Sequence, residues 1–348
     1  MQTVHITAHG GPEVLALVDT PIPAPAPGEV LVRVLGVSLN HLDLWVRRGM
    51  PGFPVPFPRV PGCDGTGEVV ALGAALGEGA PRLQVGDRVL MEPGFADPAS
   101  PEARRGEDHL AADYGVRGEH CDGFDAEYVV LPERFVRPLP AGLDPVTAAA
   151  APLVFLTAWG MLHSRARMQP GETVLVLGAG SGVGSAGIQL ARRHGCRVLT
   201  TAGSEEKRAL GVSLGAEVAL DHRDPDWPKA VKRLTGGHGA DIVFEHIGPA
   251  TWAGSLRVLA RNGRLVTCGG TTGPSVEVQL PHLFIKNQSI LGSTMGPRAA
   301  FGPILEGLAT GALRPVIDRV MPMSEVREAH RMLEAREVSG KLVLVPGQ

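Results

Sequence analysis

The chain has 348 residues, of which 44% are hydrophobic, and its formal net charge is -3. This length exceeds that of one ordinary domain and predicts two. The mixed charges argue against nucleic acid or an anionic membrane as a partner, and no apolar stretch approaches the ~18 residues of a membrane span.

Four cysteines, Cys63, Cys121, Cys196 and Cys268, are scattered without a pairing pattern. Free thiols in a reducing compartment explain this better than a disulfide framework. The N-terminal residues lack a basic cap followed by an apolar run, so no secretory signal is expected. We therefore predict a cytoplasmic protein.

The first ~150 residues contain short β-branched runs interrupted by Gly and Pro, which is typical of many short strands. The clearest runs are EVLVRVLGVSL, VPGCDGTGEVVALG, GDRVLMEP and AEYVVLPERFVRPLP. Residues 1–150 are therefore predicted to form a β-rich domain.

From about Ala148 the pattern changes to a helix, AAAAPLVFLTAWGMLH, followed by strands that alternate with helices. The predicted strands are TVLVL, RVLTTAG, EVALDH, DIVFEHIG, RLVTCGG and SILGSTMG. Such alternation predicts βαβ units and a parallel sheet over residues 151–296. Residues 297–348 end in the strand KLVLVPG, which has no place in that sheet and is expected to return to the β-rich domain.

The segment GAGSGVG, Gly178 to Gly184, follows a buried strand and opens a helix. Glycines there let the backbone approach a pyrophosphate, and the helix N-terminus favours its negative charge. The strict G-x-G-x-x-G spacing fails, so a plain strand-to-helix turn is the alternative. We favour a dinucleotide site, with these cofactor-binding candidates: Gly180, Ser181, Gly182 and Val183.

The end of the next strand, RVLTTAGSEEK, bears on the choice of cofactor. An NAD site needs a carboxylate there for the ribose hydroxyls, but none occurs before Glu205. Ser204 and Lys207 can instead bind a 2'-phosphate, with Arg208 as a further candidate, although Lys207 can equally be a surface lysine at a helix start. We predict NADPH in preference to NADH. His222 and His246, on the following strands, are further cofactor-binding candidates.

Five motifs occur in order along the chain: GDRV, AEYVVLP, FLTAW, AGSGVG and GKLVLV. Together they resemble the medium-chain dehydrogenase/reductase superfamily, and GVSLNHLDLWVRRG with GSEEK resembles its quinone oxidoreductase branch. The resemblance implies an α/β fold in which a doubly wound, parallel Rossmann sheet is inserted into a GroES-like, β-rich catalytic domain. It also implies a cleft between the domains, and a homodimer, or a tetramer, paired through the last Rossmann strand.

The resemblance also locates three zinc-ligand positions of the related alcohol dehydrogenases. Here they hold Asn40, three residues before Asp43, then Cys63 in the turn Gly62-Cys63-Asp64, and Leu153. Catalytic zinc needs three protein ligands, so no zinc is expected. A rebuilt site remains an open alternative, drawing on His41, Asp43, Asp64, His109, His120 and Cys121. Many relatives also bind a structural zinc ion through four cysteines in a short lobe. This chain has Asp97, Ser100, Ala103 and Ala111 at those positions, so no structural zinc is expected.

Without a metal, hydride transfer suits a quinone or an α,β-unsaturated carbonyl, because conjugation delocalises the incoming charge. By resemblance, Asn40 would donate a hydrogen bond to the substrate carbonyl, with Asp43 and Thr157 as further catalytic candidates. The cofactor contacts implied by the resemblance are Trp45, Gly269, Gly270, Thr271 and Lys341. His41 and Tyr128 are open alternatives for a proton donor. A zinc-type alcohol dehydrogenase and a non-catalytic NADPH-binding protein are the alternative functions.

Overall fold

A computed structural model describes residues 1–50, 52–74 and 83–347. Its contacts divide the chain into two compact units. The first, called the catalytic unit below, combines Met1–Leu153 with Phe301–Gln348, and the second, the Rossmann unit, is Val154–Ala300. The predicted boundaries lay at residues 150/151 and 296/297.

The described residues form seventeen strands. They are β1 (Gln2–Ile6), β2 (Leu15–Asp19), β3 (Glu29–Ser38), β4 (Asp64–Leu72), β5 (Arg88–Met91), β6 (Gly94–Phe95), β7 (Gly115–Val116), β8 (Tyr128–Pro132), β9 (Val136–Pro138), β10 (Thr173–Val176), β11 (Arg197–Thr201), β12 (Val218–Leu220), β13 (Ala240–Glu245), β14 (Leu259–Thr267), β15 (Ser289–Gly292), β16 (Ile317–Pro322) and β17 (Lys341–Val345).

The same residues form eleven α-helices and one π-helix, Gly160–Arg165. The α-helices are α1 (His41–Arg48), α2 (Pro101–Arg104), α3 (Pro145–Ala149), α4 (Pro152–Trp159), α5 (Gly182–Arg193), α6 (Glu205–Ser213), α7 (Trp227–Leu234), α8 (Pro249–Val258), α9 (Leu280–Ile285), α10 (Phe301–Ala309) and α11 (Val326–Glu334). None of these helices is long and apolar enough to cross a membrane.

The main sheet of the catalytic unit has the order β16-β17-β3-β4-β5-β9, with β8 paired to β3. The last strand, β17, runs parallel to β16 and antiparallel to β3, where Val343 faces Ser38. The terminal strand, predicted to return to the β-rich domain, thus lies between β16 and β3 in this sheet. Apolar side chains of this sheet form the core of the unit with those of α11, because each element buries one apolar face.

The Rossmann unit contains a parallel sheet with the order β12-β11-β10-β13-β14-β15. This is the doubly wound order, with its switch point between β10 and β13, where such sheets bind ligands. The run Val174–Leu177 is completely buried. A parallel strand covered on both faces needs such a continuous apolar run, so the sequence pattern identified it.

A buried polar cluster joins α1 to α11 in the catalytic unit. The Arg47 guanidinium is fully buried and donates to Gly10 O at 3.1 Å and to Glu334 Oε2 at 2.7 Å. It also lies 3.1 Å from Nδ1 of His330, which is equally buried. Burial, reinforced by the charge of Arg47, lowers the pKa of His330 to about 3. His330 is therefore neutral at physiological pH.

Candidate active site

The glycine-rich turn connects β10 to α5 in the Rossmann unit. Ser181 caps the helix, because its Oγ accepts a hydrogen bond from Gly184 N at 2.9 Å. A side chain at Gly184 would place its Cβ 2.2 Å from Gly178 O, and Gly178 itself has a φ of 73°. Only glycine allows this close approach. A helix N-terminus behind a glycine-rich turn can bind a pyrophosphate.

His246 lies beneath this turn, at the end of β13. Its Nε2 is 2.7 Å from Leu177 O and 3.3 Å from Ser181 Oγ. Burial lowers its pKa, so the ring is neutral and donates to the Leu177 carbonyl. The structure thus brings two predicted cofactor residues, Ser181 and His246, into contact with each other.

The predicted 2'-phosphate region surrounds Gly203, after β11. Ser204 caps α6 by accepting from Lys207 N at 3.2 Å, and the Lys207 side chain packs against Gly180. His222 Nδ1 is 3.0 Å from Thr201 Oγ1, and burial lowers the pKa of this histidine. These predicted residues therefore converge on one surface of the unit.

Sequence reasoning missed Arg223, which also lies beside Gly203. Its Nη2 is 2.9 Å from Asp221 Oδ2, and Arg208 Nη1 lies 3.1 Å from the same oxygen. The two guanidinium groups share one carboxylate, and Lys207 adds a third cation to the region, while the first turn of α6 also carries Glu205 and Glu206. The sequence signal for Arg223 was its position directly after the predicted residue His222 in the segment EVALDHR.

A buried carboxylate, Glu245, organises the loop that follows β13. Its Oε1 accepts from Ile247 N at 2.7 Å and Gly248 N at 3.1 Å, and its Oε2 accepts from Ser255 Oγ at 2.7 Å and Thr251 Oγ1 at 2.9 Å. This loop supports the segment after β14. There Thr272 N donates to Ile247 O at 2.8 Å, next to the predicted residues Gly269, Gly270 and Thr271.

Thr157 is buried on α4 and its hydroxyl donates to Met295 Sδ at 3.7 Å. Trp45, predicted to contact the cofactor, is half-buried on α1 of the catalytic unit. The two open alternatives for a proton donor, His41 and Tyr128, lie at the start of α1 and on β8. The roles of these residues in cofactor binding or proton donation stay predictions.

Asn40 occupies the centre of a buried polar cluster in the catalytic unit. Its Nδ2 donates to Asp64 Oδ2 at 2.9 Å and to Ser38 O at 3.2 Å, and lies 3.4 Å from Cys63 Sγ. Its Oδ1 accepts from Lys341 Nζ. Because Nδ2 has two hydrogens, protein acceptors account for both of them.

Asp64 binds residues from three other parts of the chain at this cluster. Its Oδ2 accepts from Asn40 and from Lys341 Nζ, the latter at 3.1 Å, and its Oδ1 accepts from Leu153 N at 2.7 Å. Asp64 is completely buried and Lys341 is 4% exposed. The Lys341–Asp64 ion pair is therefore buried away from water. The second Asp64 oxygen also accepts a hydrogen bond, as a buried ion pair requires.

Two further carboxyl groups lie beside this cluster. Asp43 Oδ2 accepts from Asn40 N at 2.7 Å and its Oδ1 accepts from Gly62 N at 3.3 Å. Burial raises the pKa of Asp43 to about 6. Burial and the charge of Asp43 raise the pKa of Asp125, which lies against Gly62. Burial also raises the pKa of Cys63 well above its usual range, so Cys63 is a neutral thiol.

These residues do not fit a catalytic zinc ion. Asn40 directs N–H groups at the place where a metal ligand would offer a lone pair, and Leu153 contributes only a backbone N–H, so Cys63 is the one thiol ligand among the three positions. Within the described parts of the chain, no group of three or more His, Cys, Asp or Glu side chains is arranged to hold a metal ion. The rebuilt site considered from sequence thus finds no ligand set among those residues.

The comparisons with known proteins cover both units. Residues 26–141 match the family model of the alcohol dehydrogenase GroES-like domain, and residues 182–310 match that of the zinc-binding dehydrogenase. A quinone oxidoreductase from Pseudomonas aeruginosa is 31% identical over 353 residues, covering 99% of both chains. The chain belongs to the medium-chain dehydrogenase/reductase superfamily, in its quinone oxidoreductase-like branch. It is therefore an oxidoreductase of a nicotinamide-dependent family.

Two solved structures extend the likeness to the whole backbone. A crystal structure described as an NAD-dependent alcohol dehydrogenase is 44% identical, with a TM-score of 0.95 and complete coverage of both chains. A thermostable alcohol dehydrogenase from Pyrobaculum aerophilum is 31% identical, with a TM-score of 0.88 and 99% coverage of both chains. The predicted fold class, a Rossmann sheet inserted into a GroES-like unit, is confirmed.

Proposed function

We propose that the protein transfers a hydride from NADPH to a quinone or an α,β-unsaturated carbonyl without catalytic zinc. The observation that carries this proposal is the hydrogen-bonded cluster of Asn40, Asp64 and Lys341, where a zinc-dependent relative would need metal ligands. A conjugated acceptor suits such a site because the acceptor itself delocalises the charge that arrives with the hydride.

The first experiment measures zinc per subunit after purification without added metal or chelator, alongside steady-state reduction of a quinone and an enone. We expect less than about 0.1 zinc per subunit and turnover that chelators do not change, since fewer than three ligands are present. Zinc near one per subunit together with alcohol oxidation would replace this proposal by a zinc-type alcohol dehydrogenase. Tight NADPH binding without turnover of any acceptor would instead favour a non-catalytic NADPH-binding protein.

The preference for NADPH rests on two cations near Gly180 and Gly203 and on the absence of a carboxylate at the end of β11. Lys207 packs against Gly180 and Arg223 lies beside Gly203, and both would bind the 2'-phosphate. Replacing either by alanine should raise the Kd of NADPH about tenfold, the cost of one charge-assisted contact, and leave that of NADH within about twofold. Arg193→Ala, at the other end of α5, is the control. Equal losses for both cofactors would contradict this assignment.

One observation favours a second candidate function, the NAD-dependent oxidation of an alcohol. The solved relative with 44% identity is described as an NAD-dependent alcohol dehydrogenase. Activity with NAD and simple alcohols, exceeding that with NADPH and conjugated carbonyls, would support this second function. The same assay therefore discriminates between the two candidates.

We also propose a homodimer that pairs through β15. This strand is the edge of the Rossmann sheet in the described residues, and α9 beside it in sequence exposes Leu280, Phe284 and Ile285. Large apolar side chains at a sheet edge usually mark an interface, and a two-fold axis would extend the sheet. A tetramer would be built from such dimers. Sedimentation velocity gives the mass directly.

A further inference from the structure

The proposed carbonyl reduction needs a group that stabilises negative charge on the substrate oxygen, and the following inference rests on that proposed function. Such a group works best when it is fixed before the reaction and shielded from water. The family resemblance suggested the Asn40 amide for this purpose. In the structure, however, both Nδ2 hydrogens of Asn40 face acceptors of the protein, namely Asp64 and Ser38.

Lys341 is the donor that remains in this cluster. An ammonium group carries three hydrogens, and within the described residues its Nζ has two acceptors, Asn40 Oδ1 and Asp64 Oδ2. The residue is only 4% exposed. A buried N–H without an acceptor is costly, so a partner for the third hydrogen is expected from outside the protein.

We propose that Lys341 is the catalytic electrophile, which donates its third N–H to the carbonyl oxygen of the substrate. The ammonium would thereby supply, as a fixed protein charge, the electrostatic stabilisation that a Lewis acid supplies elsewhere. Two neighbours hold it in place. Asp64 balances its charge and is itself fixed by Leu153 N at 2.7 Å, and Asn40 bridges Lys341 to Asp64.

Reduction of an enone uses one hydride and one proton. The β-carbon of the substrate accepts a hydride, with its two electrons, from the reduced nicotinamide, which becomes oxidised. The carbon–carbon π electrons move toward the carbonyl, and the oxygen of the resulting enolate carries the negative charge that Lys341 stabilises. A proton from water then binds the α-carbon and gives the saturated ketone.

The test compares wild type with Lys341→Met, Lys341→Arg and the double variant Lys341→Met/Asp64→Asn. The double variant removes both buried charges, so its fold does not depend on an unpaired carboxylate. Lys232→Met is the matched control, because Lys232 donates to His238 O in the Rossmann unit. Each protein is assayed for kcat/KM with an enone and for the Kd of NADPH by fluorescence.

We expect Lys341→Met and the double variant to lose about 10²–10³-fold in kcat/KM, the usual effect of deleting one oxyanion donor. The Kd of NADPH should stay within about threefold, because no cofactor charge is lost on this proposal. Lys341→Arg should recover at least about tenfold of the lost activity, since the cation is retained. A large increase in the Kd of NADPH with an unchanged kcat would overturn the proposal and make Lys341 a cofactor ligand.

A second readout does not depend on turnover. The probe 4-(dimethylamino)cinnamaldehyde absorbs at longer wavelength when a cation polarises its carbonyl. Wild type should shift its absorption to the red, and Lys341→Met should abolish the shift. If wild type reduces no acceptor but shows this shift, the proposed function is wrong, while the contact of Lys341 with a carbonyl oxygen stands. If wild type reduces enones and a shift or activity persists without Lys341, the role of Lys341 is refuted.

Discussion

The buried His330 makes a quantitative prediction about stability and pH. In the folded protein its pKa is about 3, whereas an unfolded chain restores the ordinary value near 6.5. Between these two values the unfolded chain binds more protons. The contribution of His330 to stability is therefore complete above pH 6.5 and falls as the pH falls below it.

The magnitude follows from the same two values. Between pH 7 and pH 5 the unfolded imidazole takes up most of a proton, while the folded one stays neutral. Integrating the linkage relation over this interval gives a loss of about 2 kcal/mol from His330 alone. Asp43, whose pKa is raised to about 6, changes in the opposite direction, because the folded state binds its proton more readily. The total pH dependence therefore does not isolate His330.

Substituting His330 isolates its contribution to the pH dependence of stability. His330→Asn keeps an acceptor near Arg47 Nη1 and removes the titration, whereas Asp43 and all other groups contribute equally to both proteins. Urea unfolding is measured by circular dichroism at pH 7 and pH 5. The variant should be less stable at pH 7, because it leaves a small cavity, but it should lose about 2 kcal/mol less than wild type on acidification. NMR titration of the histidine ring protons provides the independent check. Identical losses in the two proteins, or a His330 signal that titrates near pH 6.5, would refute the reasoning.

Three further outcomes are expected. Gly184→Ala should destabilise the protein by about 2 kcal/mol or more and weaken cofactor binding, since the new Cβ would meet the Gly178 carbonyl at 2.2 Å, and an unchanged melting temperature would contradict the close packing. Glu245→Gln should cost about 3 kcal/mol, because an amide N–H would face donors in a dry site, and thermal unfolding with a Glu245→Asp comparison measures this. Phe284→Asp should convert the proposed dimer into a monomer in sedimentation velocity, and a retained dimer would place the interface elsewhere.

Much of the fold was predictable because each unit has a simple apolar pattern. The Rossmann strands are continuous buried runs such as Val174–Leu177, and the glycine-rich turn with Ser181 follows directly after one of them. The return of β17 to the catalytic unit was predictable because its sequence, KLVLVPG, follows the last βαβ unit and has no place in the predicted parallel sheet.

The polar contacts of the catalytic unit were not predictable in the same way. Lys341 and Asn40 are separated by 301 residues, and their contact depends on the register of β17 against β3. Both residues are candidates from sequence, Lys341 for the cofactor and the Asn40 amide for the substrate, and both assignments stay predictions. Asp125 and Arg223 were not identified, because their importance comes from Asp43 and Gly203, which are not adjacent to them in sequence.

The position of β17 between β16 and β3 has a consequence for biosynthesis. A ribosome makes residues 154–300 before it makes β17, so the Rossmann unit can fold while the catalytic sheet still lacks an inner strand. Until β17 emerges, β3 presents at Val37 and Ser38 backbone groups that β17 will later bind. We therefore expect the sheet of the catalytic unit to be completed after the Rossmann unit, although β3 is translated before it, in contrast to the usual N-terminal-first order of domain folding.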